Sequence, residues 1–306
     1  MRKLSLALVG AGIVAAGIVF ATPALADNGP HIANSGNLQS DSCAGCHRAH
    51  TAKSQGLLKT NSTQLCTSCH SAGLGALTDV MAGQYYPDFV NGNQMLGLRG
   101  GGFTTAALNT TAATKSPTKL IPALTTAPTA TTSAHSIDGT AQTAWGGGTT
   151  GLGTQVSLTC TSCHDPHGNG NYRILRPLAT GGTGANVNIA DATTKTYFTT
   201  NYWSVKDNSS TSFINNISSW CAQCHTRYQS NSAETNTGDP TYTFRHETTQ
   251  TGDGEPNCIQ CHVAHGSNAT MTGESAKVPN PGGTVSGSSR LLRLNNRGTC
   301  VMCHNK

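Results

Sequence analysis

The sequence predicts a mostly irregular chain, with short helices and a few short strands, folded around something other than its own side chains. Three observations lead there. Leu, Ile, Val and Phe make up 40 of the 280 residues in 27–306, about 14%, below the roughly 20% at which a chain struggles to build a core. Charged residues are also scarce, at 11%, so this is not the composition of a highly charged disordered chain. Residues 104–154 are rich in Thr, Ala and Gly with little periodicity, which reads as loop and an irregular β-hairpin.

From the N-terminus, Arg2 and Lys3 precede an apolar run over residues 4–20, and Ala24-Leu25-Ala26 offers a small-x-small cleavage site before Asp27. That pattern predicts a secretory signal peptide over residues 1–26 and a single body over 27–306. An uncleaved anchor is the alternative; Pro23 and the clean site argue against it. No cysteine follows the site closely, which argues against a lipid anchor. No later segment is long and apolar enough to span a bilayer. The expected location is outside the cytoplasm, in the periplasm, at the cell surface or secreted.

The body carries six copies of Cys-x-x-Cys-His. They are Cys43–Cys46–His47, Cys66–Cys69–His70, Cys160–Cys163–His164, Cys221–Cys224–His225, Cys258–Cys261–His262 and Cys300–Cys303–His304. Together they use all twelve cysteines. This spacing is the attachment signature of haem c: two thioethers hold the porphyrin, and the adjacent histidine ligates the iron. Zinc sites also use Cys-x-x-Cys pairs, but place no demand on the next residue. A disulfide framework leaves the histidines unexplained. A thioredoxin-like pair normally occurs once. Six covalent haems, each with its iron, are therefore expected, and their apolar rings supply the missing core.

The motifs are unevenly spaced. The first two lie close together, a long stretch precedes the third, and the last three recur at about forty-residue intervals as a loose repeat. Each is expected on a helix of one or two turns, too short to stand alone. Residues 197–203 suggest a short strand. One continuous haem-threaded body is expected.

Histidine gives a second count. There are twelve: six in the motifs, and His31, His50, His135, His167, His246 and His265 elsewhere. Six irons with two axial histidines each need that number. Three of the six follow a motif directly: His50 in Cys-His-Arg-Ala-His, His167 in Cys-His-Asp-Pro-His and His265 in Cys-His-Val-Ala-His. Three positions on, such a histidine stays on its own haem's proximal side, so it is expected to ligate a different haem. His31, His135 and His246 are isolated candidates, with Met81, Met95 and Met271 as rivals. His31, a few residues into the mature chain, is expected to reach a neighbouring subunit in a head-to-tail contact. The formal charge of +5 misleads. Two positives leave with residues 1–26, and each haem brings two propionates, so the loaded protein is net acidic and nothing points to nucleic acid.

These motifs resemble those of the multihaem c-type cytochromes of metal-reducing bacteria with paired Cys-x-x-Cys-His motifs. In character they are closest to the extracellular cytochromes that polymerise into conductive filaments. The resemblance covers the motifs from Cys43 to His304 and not the sequence between. It implies a loop-rich fold, bis-histidine iron and a histidine that can cross between subunits. The function it implies is electron transfer along a haem chain in extracytoplasmic respiration, not enzymatic catalysis, because an iron with both axial positions filled has no open site. Expected partners are other redox proteins, extracellular electron acceptors or further copies of the chain. Two alternatives remain open. A multihaem reductase of nitrogen or sulfur oxyanions would keep one haem five-coordinate, often with an altered motif. A non-polymerising periplasmic carrier would share all the chemistry.

Overall fold

The computed structural model describes residues 42–71, 76–85, 96–111, 127–189, 213–230 and 258–301, together with 232, 234, 236–239, 243 and 246. The expected signal peptide, His31, Met95, the strand expected at 197–203, Cys303 and His304 lie outside the described residues.

Among the described residues six short helices each meet one motif: α1 (Ser42–Cys46), α2 (Ser62–Thr67), α3 (Cys160–Cys163), α4 (Phe213–Cys221), α5 (Cys258–Cys261) and α6 (Gly298–Val301). The reason is the spacing. Residues i, i+3 and i+4 share one face of a helical turn, so one turn presents both sulfurs and the imidazole together. In the five motifs described to their histidine, the histidine N–H closes that turn onto the first cysteine's carbonyl. His47 bonds Cys43 at 2.8 Å, His70 bonds Cys66 at 2.9 Å and His164 bonds Cys160 at 3.0 Å. Local caps start two of the turns: the Asn61 side chain accepts from the Gln64 N–H ahead of α2, and Thr159 and Ser162 form a capping box on α3.

Among the described residues nine strands of two to five residues, β1 (Thr78–Asp79), β2 (Gln84–Tyr85), β3 (Leu96–Gly97), β4 (Thr105–Ala106), β5 (Thr129–Ala130) and β6 to β9 below, form four small antiparallel sheets. The longest pair is a hairpin of β7 (Ala141–Trp145) and β8 (Gly153–Ser157), within and just beyond the stretch expected to hold one. One long-range pair matters most for the site. Strand β6 (Ser133–Ala134) pairs with β9 (Gly266–Ser267) and brings His135 beside His265, whose carbonyl accepts the His135 N–H at 3.0 Å. Gly101 bridges Gly266 on the other side. Its φ is +70°, and a Cβ there would lie 1.7 Å from the Gly266 oxygen, so only glycine fits.

Apolar burial is divided among separate small clusters. Tyr172, Leu175, Ile189, Ile217 and Ile259 form one; Ala106, Leu108 and Val263 a second; Ala144, Val156 and Leu158 a third. The fold class matches the expectation: mostly coil, six short helices and short strands.

Candidate haem-binding centres

The motif helices lie side by side in chain order. Helix α2 packs on α3, α4 on α5, and α5 against α6. The cysteines show how they meet. Cys46 of the first motif lies close to Cys69 of the second, and Cys163 of the third close to Cys224 of the fourth. The Cys66 side chain lies beside that of Cys160, and the Cys221 side chain beside that of Cys258. Contacts therefore alternate: second cysteine to second cysteine within a pair of motifs, first to first between pairs. The eleven described cysteines form no disulfide.

Each described motif histidine has its Nδ1 on a protein oxygen. His47 donates to the Gly56 carbonyl at 2.7 Å, His164 to Arg173 at 2.8 Å, His225 to Trp145 at 2.7 Å and His262 to Arg290 at 2.9 Å. His70 meets the Thr78 hydroxyl at 3.1 Å. A metal-ligating histidine typically gives its other ring N–H to such a partner, fixing tautomer and orientation. Here Nε2 is left for the metal. These residues fit the group they are expected to hold.

In the first, third and fifth motifs the accepting carbonyl comes from a repeated elbow. Gly56-Leu57-Leu58-Lys59, Arg173-Ile174-Leu175-Arg176 and Arg290-Leu291-Leu292-Arg293 each open with two left-handed residues, at φ of 70° and 58°, 53° and 53°, and 54° and 63°. The third residue bridges the motif histidine: Leu58 with His47, Leu175 with His164 and Leu292 with His262. The fourth, always basic, donates its backbone N–H to the second cysteine's carbonyl, at 3.0, 2.8 and 2.9 Å. Left-handed backbone costs about 1–3 kcal/mol at a non-glycine residue. Its recurrence at Leu57, Arg173, Ile174, Arg290 and Leu291 marks a device that holds the imidazole. These accepting carbonyls were not among the residues singled out from the sequence; the signal was the recurring Leu-or-Ile, Leu, Lys-or-Arg triplet.

Three motif histidines face a second histidine. The ring centroids of His47 and His167 are 6.1 Å apart, those of His225 and His135 6.4 Å, and those of His164 and His265 6.5 Å. Two imidazoles bound on opposite sides of one metal, at about 2.0–2.1 Å each, have centroids about 6.3 Å apart. The separations match that arrangement. The Nδ1 of His135 also rests on a carbonyl, that of Ala264, at 2.7 Å. The buried Nδ1 of His265 lies beside the Gly101 backbone, short of hydrogen-bond geometry. Burial lowers the pKa of His135, His164 and His225, and pushes His262 to about 4 and His265 to about 3. All five are neutral at physiological pH, the form that binds a metal. His262 is exposed.

The remaining histidines divide. His50 and His246 are exposed, and His246 lies within electrostatic reach of His262. Met271 is fully buried and Met81 half-buried, and histidines, not methionines, stand opposite His47, His164 and His225. Among the described residues no group of three or more His, Cys, Asp or Glu could hold a metal by itself.

Two family models match the chain. One, a doubled CXXCH motif, covers residues 36–74. The other, the N-terminal region of the NapC/NirT cytochrome c family, covers residues 105–270. No curated protein and no solved structure matches. The first match takes in the paired motifs at Cys43 and Cys66 and the elbow between them. The second spans more than half of the 306 residues and includes the third, fourth and fifth motifs with His135, His167 and His265. With these motifs attaching haem c covalently, the chain belongs to the NapC/NirT cytochrome c family and is a multihaem electron-transfer cytochrome.

Proposed function

We propose that residues 27–306 form an exported hexahaem conduit, without enzymatic activity, that passes electrons along six haems in the order of their motifs. Haem supplies a one-electron ferric–ferrous couple; the chain sets its ligands, burial and neighbours. The observation that carries this reading is the set of three facing histidine pairs at the separation one iron requires. His47 and His167 then serve the first haem, His164 and His265 the third, and His225 and His135 the fourth. The side-by-side motifs support chain order. Oxidised, assembled holoprotein should give only low-spin ferric signals in electron paramagnetic resonance. A high-spin ferric signal at rest would instead favour the reductase alternative.

The pairings also follow a rule whose period is a pair of motifs, not a single motif. The trailing histidine of the third motif faces the first motif, and that of the fifth faces the third. His135, upstream of the third motif, faces the fourth, the second member of its pair. His31 and His246 each stand 12 residues before an odd motif, so the rule gives them to the second and sixth haems. It leaves His50 with no haem in its own chain, and assigns His262 no second histidine, although His246 lies within electrostatic reach of it. Extended to another copy, the rule puts His50 of one protomer on the fifth haem of the next, a head-to-tail contact that does not close. This favours a polymer outside the cell over a free carrier, and favours His50 over His31 as the crossing ligand. His50→Ala should yield soluble, haem-loaded protein that forms no fibres in electron micrographs; fibres like those of the parent would refute the crossing.

A further inference from the structure

Arg227 follows the fourth motif's histidine by two residues and is 7% exposed. The glycine-rich turn of the β7–β8 hairpin wraps it. Its backbone N–H and Nε donate to the Gly146 carbonyl at 2.9 and 3.3 Å, and its Nη2 donates to Gly151 at 2.6 Å. Sequence explains the closeness. A Cβ on Gly146 would lie 2.6 Å from the Tyr228 ring, and one on Gly147 2.6 Å from the Cys224 carbonyl.

The remaining nitrogen, Nη1, is buried and has no hydrogen-bond partner. Arg227 lines an open cavity of about 640 Å³ together with Thr149, Thr226, Asn236 and Thr237. Gly238 stands against Nη1, where a Cβ would come within 3.3 Å. Among the described residues Arg227 forms no ion pair; Asp239, close by in sequence to Gly238, is buried and takes the Tyr228 hydroxyl at 3.2 Å. Carbonyls satisfy donors but do not neutralise a cation, and a guanidinium this buried is normally matched by an anion. Its planar fork suits a carboxylate, phosphate or sulfate.

We infer that the Arg227 cavity is an oxyanion site beside the haem of Cys221 and Cys224, with the Arg227 guanidinium as its cation. The oxyanion has two possible sources, a propionate of that haem or a small dissolved ion, and the chemistry is the same. The inference rests on haem attachment at this motif, so haem-peptide mapping of the same preparations separates a failure of that premise from a failure of the site.

The test compares holoprotein with Arg227→Gln in oxyanion-free buffer. Two readouts are needed: carboxylate bands in redox-difference infrared spectra, and equilibrium binding of inorganic phosphate. A propionate occupant gives a carboxylate band that shifts in the variant, with no phosphate binding. A dissolved occupant gives phosphate binding that weakens at least about tenfold, or 1.4 kcal/mol, with unchanged bands. Either supports the site. If both readouts match the parent, there is none. Should Arg227→Gln not fold, Arg227→Lys keeps the charge without the fork; a shift in either readout supports the site, and identity with the parent in both overturns it.

Discussion

Haem-free mature chain is expected to be largely unfolded. Eighteen hydrophobic residues are buried among the described residues, and six of them are alanines. A fully buried Val, Leu, Ile, Phe or Met side chain contributes roughly 1.5–3 kcal/mol, whereas each ordered residue costs about 1–2 kcal/mol in backbone entropy. The clusters are separate and hold three to five residues each, so none is a nucleus for the whole body. The helices are four to nine residues long, below the length at which isolated helices persist. Porphyrin rings bonded at the motif turns provide the missing apolar surface. With all twelve cysteines changed to serine, far-ultraviolet circular dichroism should show mostly coil and heating should give no cooperative transition. A sharp thermal transition in that variant would mean the polypeptide has a sufficient core of its own.

The second large effect is a change of spin state away from the site of mutation. His167 follows the third motif, yet its ring faces His47 of the first. Its side chain is 77% exposed, with Nδ1 3.5 Å from an Asp165 oxygen, so truncation removes little packing. His167→Ala should leave all haems attached and convert one to a high-spin form that binds carbon monoxide. That haem should be the one on Cys43 and Cys46. Adding Cys43→Ser and Cys46→Ser should abolish the new signal; adding Cys160→Ser and Cys163→Ser should leave it. The opposite dependence would return His167 to its own motif and dissolve the pairing rule. His265→Ala should open the haem of the third motif in the same way, at a larger cost in stability because His265 packs on Phe103 with centroids 4.7 Å apart.

The motif turns were legible because their information is local: three residue types at fixed spacing define one helical turn. That a trailing histidine turns away from its own motif was also legible, from the reach of a residue three positions on. Which motif histidine it stands beside was not. The His164–His265 and His225–His135 facings depend on β6 finding β9 and on Gly101 meeting Gly266, contacts between segments more than 130 residues apart in the first case. The elbows escaped for a different reason. Leu57, Arg173 and Ile174 adopt backbone that their own preferences oppose, so propensity points away from it. The apparent forty-residue repeat of the last three motifs concealed the true period, a pair of motifs, because long insertions separate the members of the second and third pairs. The repeated triplet after the odd motifs carries that period in the sequence.

A density map of the assembled holoprotein tests the central claim most directly. It should show iron porphyrin bonded to every cysteine pair, with His47 and His167 sharing the first iron, His164 and His265 the third, and His225 and His135 the fourth. An open iron at any of those three positions, or one bound by a different side chain, would contradict the account.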